Sequence, residues 1–327
     1  MICLGIESTA HTFASAVVTA KGEILSDVRD MVTTETGGLI PVKVANHHQE
    51  VHEAVIRKAI EDSKVKPDFV AVSRAPGLAP CLHVGMRAAK EIAKNLNVPL
   101  IGVNHPIAHL SSGTWLTEAK DPIYLFVSGA NTQIIALEGG RFRIFGETLD
   151  VGVGNALDKF ARGMNLGFPG GPQVEKLAVN GKWLEFPYSV KGMDVAFSGL
   201  VTTALEKFKK GSSKEDLCYS FQESAFSMLT EVTERAMAHC NKKEVVIIGG
   251  VAANKRLASM LDTMCKERNA KFYAVPLKYS GDQAAMIAWQ GLLEYQAGTR
   301  HSIETLDIDP YQRVDQIKVN WKIKGNY

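Results

Sequence analysis

The sharpest chemical signal in the chain is His105-Pro106-Ile107-Ala108-His109. Residues four apart share one face of a helix, so these two imidazoles can reach a single metal ion. Pro106 suits a first helical turn, which puts the pair at a helix start just after a strand end, where open α/β sheets hold ligands. His48 and His52 have the same spacing, within His47-His48-Gln49-Glu50-Val51-His52, but sit mid-helix beside Val55 and Ala59. A packed or surface role suits them better. Neither pair has the Glu of H-E-x-x-H, which disfavours a zinc peptidase. A firm metal site needs a third ligand. Tyr279-Ser280-Gly281-Asp282 puts a carboxylate at the start of the last long helix. An acid there is also a routine partner for the helix dipole.

Two polar loops could hold anionic oxygens. Glu7-Ser8-Thr9 and Ser128-Gly129-Ala130-Asn131-Thr132 combine hydroxyls, small side chains and backbone N–H groups, and each follows an apolar run. Such loops cradle phosphates because nothing bulky blocks the approach. Ile248-Gly249-Gly250-Val251-Ala252-Ala253-Asn254 follows a buried strand and opens a helix, with two glycines that let a flat ligand or ribose come close. It lacks the Gly-Lys-Ser/Thr ending of a Walker A loop. Gly152-Val153-Gly154-Asn155-Ala156-Leu157 has Leu157 where a dinucleotide fingerprint needs glycine, so that reading fails.

The elements that must position these residues come in one order, twice. Runs at 2–6, 13–19 and 23–29 read as three strands, followed by a helix carrying Val44, Val51, Val55 and Ala59. Strand 69–72, helix 85–96, strand 100–103 and helix 106–116 follow. From residue 123 the pattern restarts, with strands at 123–127, 133–137 and 142–145, then a helical insertion. Helix 217–239, strand 245–248, helix 253–268, strand 272–275 and helix 282–296 complete it. Strand–helix alternation demands a parallel crossover sheet, while the opening meander is antiparallel. A duplicated mixed α/β sheet of this kind resembles the actin, hexokinase and heat-shock ATPase superfamily, whose two lobes enclose a nucleotide cleft. The expected lobes are residues 1–120, joined by 297–327, and residues 121–296.

Composition agrees with a globular chain. Its 327 residues hold 46% apolar and 22% charged side chains, and 37 basic against 35 acidic residues leave a net charge of +2. Charge so balanced excludes a polybasic tail, so a nucleic-acid partner must be held by a local patch or by other subunits; the Lys207, Lys209, Lys210 cluster reads as a solvated face. Five cysteines without a C-x-x-C pair suit a reducing compartment. No apolar run approaches the roughly 20 residues of a membrane span, and no signal peptide is read at the start. A cytoplasmic protein with no membrane partner is expected.

Taken together, the motifs resemble one family, the tRNA N6-threonylcarbamoyladenosine transferases in their archaeal and eukaryotic form. The carriers are Gly5–Thr12, Pro76–Leu82, Asn104–His109, Val127–Gln133, Gly167–Pro172, Phe197–Leu200, Gly249–Asn254 and Gly281–Ala288, so the resemblance spans essentially the whole chain. It implies transfer of a threonylcarbamoyl group from its adenylate to N6 of the adenosine beside the tRNA anticodon. It further implies an iron or zinc ion on His105, His109 and Asp282, between the lobes. ATP or threonylcarbamoyl-adenylate would be held by Phe126, Val127, Ser128, Gly129, Ala130, Asp158, Gly171, Glu175 and Asn254, with Ser8, Thr9, Gly249 and Gly250 alongside. No general base is named by the pattern: water or a substrate group would serve, and His11 is one candidate. The implied partners are tRNA, a small atypical kinase and a small dimerising subunit of the KEOPS complex.

The chain departs from the family pattern in places. Phe126 stands where many archaeal relatives carry a metal-ligating tyrosine, Ala75, Ala79 and Ala130 where glycine is usual, and Gln283 where asparagine is usual. An actin-like small-molecule kinase, or an ATP-gated chaperone subunit, is the alternative. Neither would need His105 and His109.

Overall fold

The computed structural model describes residues 1–32 and 40–322; residues 33–39, and 323–327 at the end of the expected C-terminal segment, lie outside the described residues. The chain opens with β1 (Ile2–Glu7), β2 (Thr12–Thr19) and β3 (Ile24–Met31). Then come α1 (Pro41–Ser63), β4 (Phe69–Ala75), α2 (Ala79–Leu96), β5 (Leu100–Asn104) and α3 (His105–Trp115). The second run begins with β6 (Ile123–Val127), β7 (Thr132–Glu138) and β8 (Arg141–Glu147). An insertion follows, consisting of α4 (Val153–Gly163), α5 (Gly170–Ala178), the hairpin β9 (Val190–Lys191) and β10 (Asp194–Val195), and α6 (Ser198–Lys209). The run resumes with α7 (Lys214–Cys240), β11 (Glu244–Ile248), α8 (Lys255–Glu267), β12 (Lys271–Ala274), α9 (Leu277–Ser280) and α10 (Ala284–Gln296).

The duplication is plain in the strand orders β3-β2-β1-β4-β5 and β8-β7-β6-β11-β12. In each sheet an antiparallel meander joins two parallel strands through its first strand. Each meander also slips register once, at Val17/Val18 and at Ile134/Ile135.

Two compact units result: Met1–Trp115 with Asp282–Asn326, and Leu116–Gly281. Residues 282–296, expected in the second lobe, therefore pack in the first unit. Small residues explain it. A Cβ on Gly5 would lie 2.3 Å from the Ala284 carbonyl oxygen, and one on Gly291 would lie 2.4 Å from Ala71 Cβ. Gly5, Ala71, Ala288 and Gly291 thus let α10 lie directly on β1 and β4, where Ala284, Ala285, Ala288 and Leu292 share one core with Cys3, Phe69 and Ala71. The opposite face of that sheet is closed by Val44, Val55 and Ile56 from α1 and Cys81, Val84 and Ala89 from α2.

Some boundaries moved for local reasons. Helix α2 starts at Ala79 rather than residue 85, since Pro80 fits its first turn. The expected helix at 253 is a 3-10 turn, Gly250–Ala253, before α8 opens on an Asn254 cap. Among the described residues, no helix is long and apolar enough to cross a membrane.

Candidate metal centre

In the first unit β5 delivers the chain to α3 at Asn104, whose side-chain oxygen accepts the Ile107 N–H at 3.3 Å while its amide donates to the Gln312 carbonyl at 3.2 Å. His105 and His109 are both buried, their rings 4.7 Å apart between centroids and nearly perpendicular. Asp282, two residues before α10, completes the group. Its Oδ1 lies 3.4 Å from His105 Nε2 and 3.3 Å from His109 Nε2. A tetrahedral ion with bonds of roughly 2.0–2.1 Å has edges of about 3.3–3.4 Å, which these two spacings match, and all three ligand atoms lie within 4.8 Å of one another. A mixed imidazole and carboxylate set suits zinc or iron. His11 Nδ1 stands 3.7 Å from Asp282 Oδ2.

Charge is tightly coupled here. Burial pushes the His105 imidazole down, but Glu7 and Asp282 outweigh it and hold its pKa up at about 10. Burial and the neighbouring His105 charge keep His109 below its ordinary value, against the pull of Asp282. Burial would raise the Asp282 carboxyl, yet the two imidazoles hold it well below the usual range. The His105 Nδ1–H donates to Glu7 Oε2 at 2.8 Å. Glu7 is the residue that sequence reasoning missed. A lone Glu ending an apolar strand, in a loop otherwise read for its hydroxyls, was its only signal.

The same carboxylate changes the reading of the first polar loop. Thr9 gives Glu7 Oε1 both its N–H, at 2.7 Å, and its hydroxyl, at 2.5 Å. Ser8 is fully buried, its N–H donating to Ser73 Oγ at 3.1 Å, and its hydroxyl oxygen would sit 2.0 Å from a Cβ on Gly85. Ser8 and Thr9 therefore turn inward and spend these groups on contacts within the first unit. His48 is buried with Nε2 2.8 Å from the Ala10 carbonyl and its ring edge-on to Phe13, while His52 Nδ1 lies 2.8 Å from the Gln49 carbonyl. Neither joins the cluster.

The second unit keeps its polar loop open. Gly129 and Ala130 are exposed at its tip. Asn131 N–H donates to Ser128 Oγ at 3.0 Å, and Gly154 and Asn155 N–H donate to the Ser128 and Gly129 carbonyls at 3.2 and 2.9 Å. A Cβ on Gly152 would lie 2.4 Å from the Gly129 carbonyl oxygen, so the Gly152/Gly154 pair serves to seat α4 beneath the loop. Phe126 and Val127 are buried in β6, behind Gly249. Gly249 has φ +96° and leaves only 2.2 Å between a Cβ and the Val127 carbonyl oxygen, whereas a Cβ on Gly250 meets nothing within 4 Å and one on Gly171 meets only Leu157 Cδ1, at 3.9 Å.

The remaining expected binders carry structural bonds as well. Asp158 Oδ1 accepts the Gly170 N–H at 2.7 Å; burial raises its carboxyl, partly offset by that bond. Glu175 Oε1 accepts the Lys255 N–H at 2.7 Å. Asn254 is nearly spent, its oxygen accepting from Arg256 and Leu257 at 2.9 and 3.1 Å and its amide donating to Gln222 at 3.2 Å. Glu175 and Gln222 border a cavity of about 610 Å³ that Tyr219 and Glu223 help to line.

Comparison with known proteins bears on what this arrangement does. The family model for TsaD, tRNA N6-adenosine threonylcarbamoyltransferase, matches residues 23–289. A protein of that name from Thermococcus sibiricus is 51% identical over 98% of this chain and 100% of its own length. The chain belongs to the tRNA N6-adenosine threonylcarbamoyltransferase family. A probable bifunctional tRNA threonylcarbamoyladenosine biosynthesis protein from Methanosarcina barkeri is 50% identical over 97% of this chain, which spans 59% of that relative. Among solved structures, T. kodakarensis HypF matches with a TM-score of 0.64 at 17% identity, covering 91% of this chain and 48% of HypF. ROK hexokinase from Thermus thermophilus matches at 0.51 and 17%, covering 90% and 99%. These likenesses establish the duplicated actin- and hexokinase-like fold.

Proposed function

We propose that this chain transfers the threonylcarbamoyl group of threonylcarbamoyl-adenylate to N6 of the adenosine beside the anticodon in tRNA. The observation that carries the reading is the convergence of His105 Nε2 and His109 Nε2 on Asp282 Oδ1, at 3.4 and 3.3 Å, within a chain of this family. In this reading His105, His109 and Asp282 hold one iron or zinc ion. When bound, the ion supplies Lewis acidity to substrate oxygens, since three protein ligands leave coordination positions open.

The protein's own residues do the rest. The exposed backbone at Gly129 and Ala130, braced on α4, orients the adenylate phosphate. The second carboxylate oxygens of Asp158 and Glu175 take ribose hydroxyls, and the open surface at Gly250 admits the nucleoside, with Gly171 beside it. His11 stands next to Asp282 and is the group suited to accept the proton that the adenosine amine must lose. Positioning and charge stabilisation account for the acceleration. Phe126 brings no hydroxyl to the ion, so the protein's share of the coordination rests on two imidazoles and one carboxylate. Work in the cytoplasm alongside a small atypical kinase and a small dimerising subunit completes the proposal.

The test is reconstitution with partner subunits, threonine, bicarbonate, ATP and tRNA. His105→Ala is expected to cut the yield of modified nucleoside by more than about 100-fold, beyond the loss typical of a residue outside the ligand set. An unchanged yield overturns the metal-centred reading.

A further inference from the structure

Glu7 is fully buried at the end of β1, and each of its carboxylate oxygens has a defined partner. Oε2 receives His105 Nδ1 at 2.8 Å, and Oε1 receives the N–H and hydroxyl of Thr9 at 2.7 and 2.5 Å. The Thr9 hydroxyl oxygen is itself 3.3 Å from His105 Nδ1, so the imidazole edge is enclosed on that side. The opposite nitrogen, Nε2, is the one that faces Asp282. An imidazole that donates from one nitrogen presents its lone pair at the other, and a carboxylate acceptor makes that lone pair more basic.

We infer that Glu7 is a positioning residue that locks His105 with its proton on Nδ1 and its lone pair on Nε2, and that Thr9 locks Glu7. The inference rests on the metal reading of the cluster. It also explains why the first polar loop is filled with its own side chains. The Glu7–Thr9 turn is a clamp on α3, which ties the β1–β2 hairpin to the ligand helix.

The isosteric change Glu7→Gln tests this with particular force. Thr9 offers two donors, so the amide oxygen settles on Thr9 and the amide NH₂ faces His105 Nδ1. That nitrogen must then accept, the ring proton moves to Nε2, and the atom facing Asp282 can no longer ligate. The experiment is a zinc titration of the full chain by chelator competition, with ¹⁵N NMR of the histidine rings. In the unmutated, zinc-loaded protein His105 is expected to bind through Nε2 and carry its proton on Nδ1. Glu7→Gln is expected to weaken zinc binding by roughly 10–100-fold and to show an Nε2–H ring. Thr9→Val is expected to weaken zinc by less.

Coordination through Nδ1 in the unmutated protein overturns the inference without any variant having to fold. Wild-type zinc affinity in Glu7→Gln also overturns it, provided His105→Ala and Asp282→Ala both lose the ion. If those two variants still bind zinc like the unmutated chain, the metal reading itself falls.

Discussion

The two units start from one plan and use it oppositely. In the first, the loop after the opening strand is packed with its own side chains: Ser8 and Thr9 are buried, and Glu7 sits between Thr9 and His105. In the second, the equivalent loop exposes Gly129 and Ala130 and is held by main-chain bonds to the start of α4. A buried side-chain cluster fixes the ionisation and orientation of a few groups, which is what a metal demands. An exposed, glycine-bounded loop offers backbone donors to a changing anion. One turn occurs in both units, and the residues filling each decide whether its polar groups face inward or are exposed.

The contrast breaks most sharply at Gly249. Alanine there must hold φ +96° and place its methyl carbon 2.2 Å from the Val127 carbonyl oxygen. Strain and overpacking together are expected to cost about 2–6 kcal/mol, read from denaturant unfolding. Gly250→Ala, with nothing within 4 Å, is expected to stay within about 1 kcal/mol. Equal losses would mean that the cradle is not built on a close approach of β11 to β6.

Next in size is a pH effect in the first unit. Burial holds the Glu294 carboxyl up at about 7, from 4.5, against its bond from Gln290 and the attraction of Arg74. The unfolded chain releases this proton first. Stability is therefore lost as pH rises from about 4.5 and the loss is complete above about 7. Glu294→Gln is expected to raise stability above pH 7, by at most about 3 kcal/mol, and to change little below pH 4.5. A gain of the same size at both ends, in thermal melts across pH, contradicts this.

The smallest expected effect belongs to Ser8. Its hydroxyl is buried against Gly85 without a hydrogen-bond partner among the described residues. Ser8→Ala is expected to leave stability within about 1 kcal/mol and nucleotide affinity unchanged. A tenfold loss of affinity would restore the first loop as a phosphate site.

Much of this was legible beforehand. Apolar periodicity and the repeated element order gave both sheets, because strand and crossover patterns depend on spacing alone. His105 and His109 stood out because helical geometry makes a four-residue spacing meaningful. Two things were not legible. The placement of α10 depends on Gly5, Ala71 and Gly291, which are spread across the chain and carry no periodic signal. The role of Glu7 depends on what surrounds a strand end, and one-dimensional pattern cannot tell a buried carboxylate from a solvated one. Likewise the family resemblance marks Asp158, Glu175 and Asn254 as ligand residues, yet each also accepts an N–H at a helix start.

The central claim is that one ion on His105, His109 and Asp282 serves threonylcarbamoyl transfer. It is tested most directly by measuring ion content and modified-nucleoside yield together in Asp282→Ala within the reconstituted complex. The account predicts that both fall together, while adenylate binding by the second unit persists. Full transfer by a variant shown to carry no ion would contradict it.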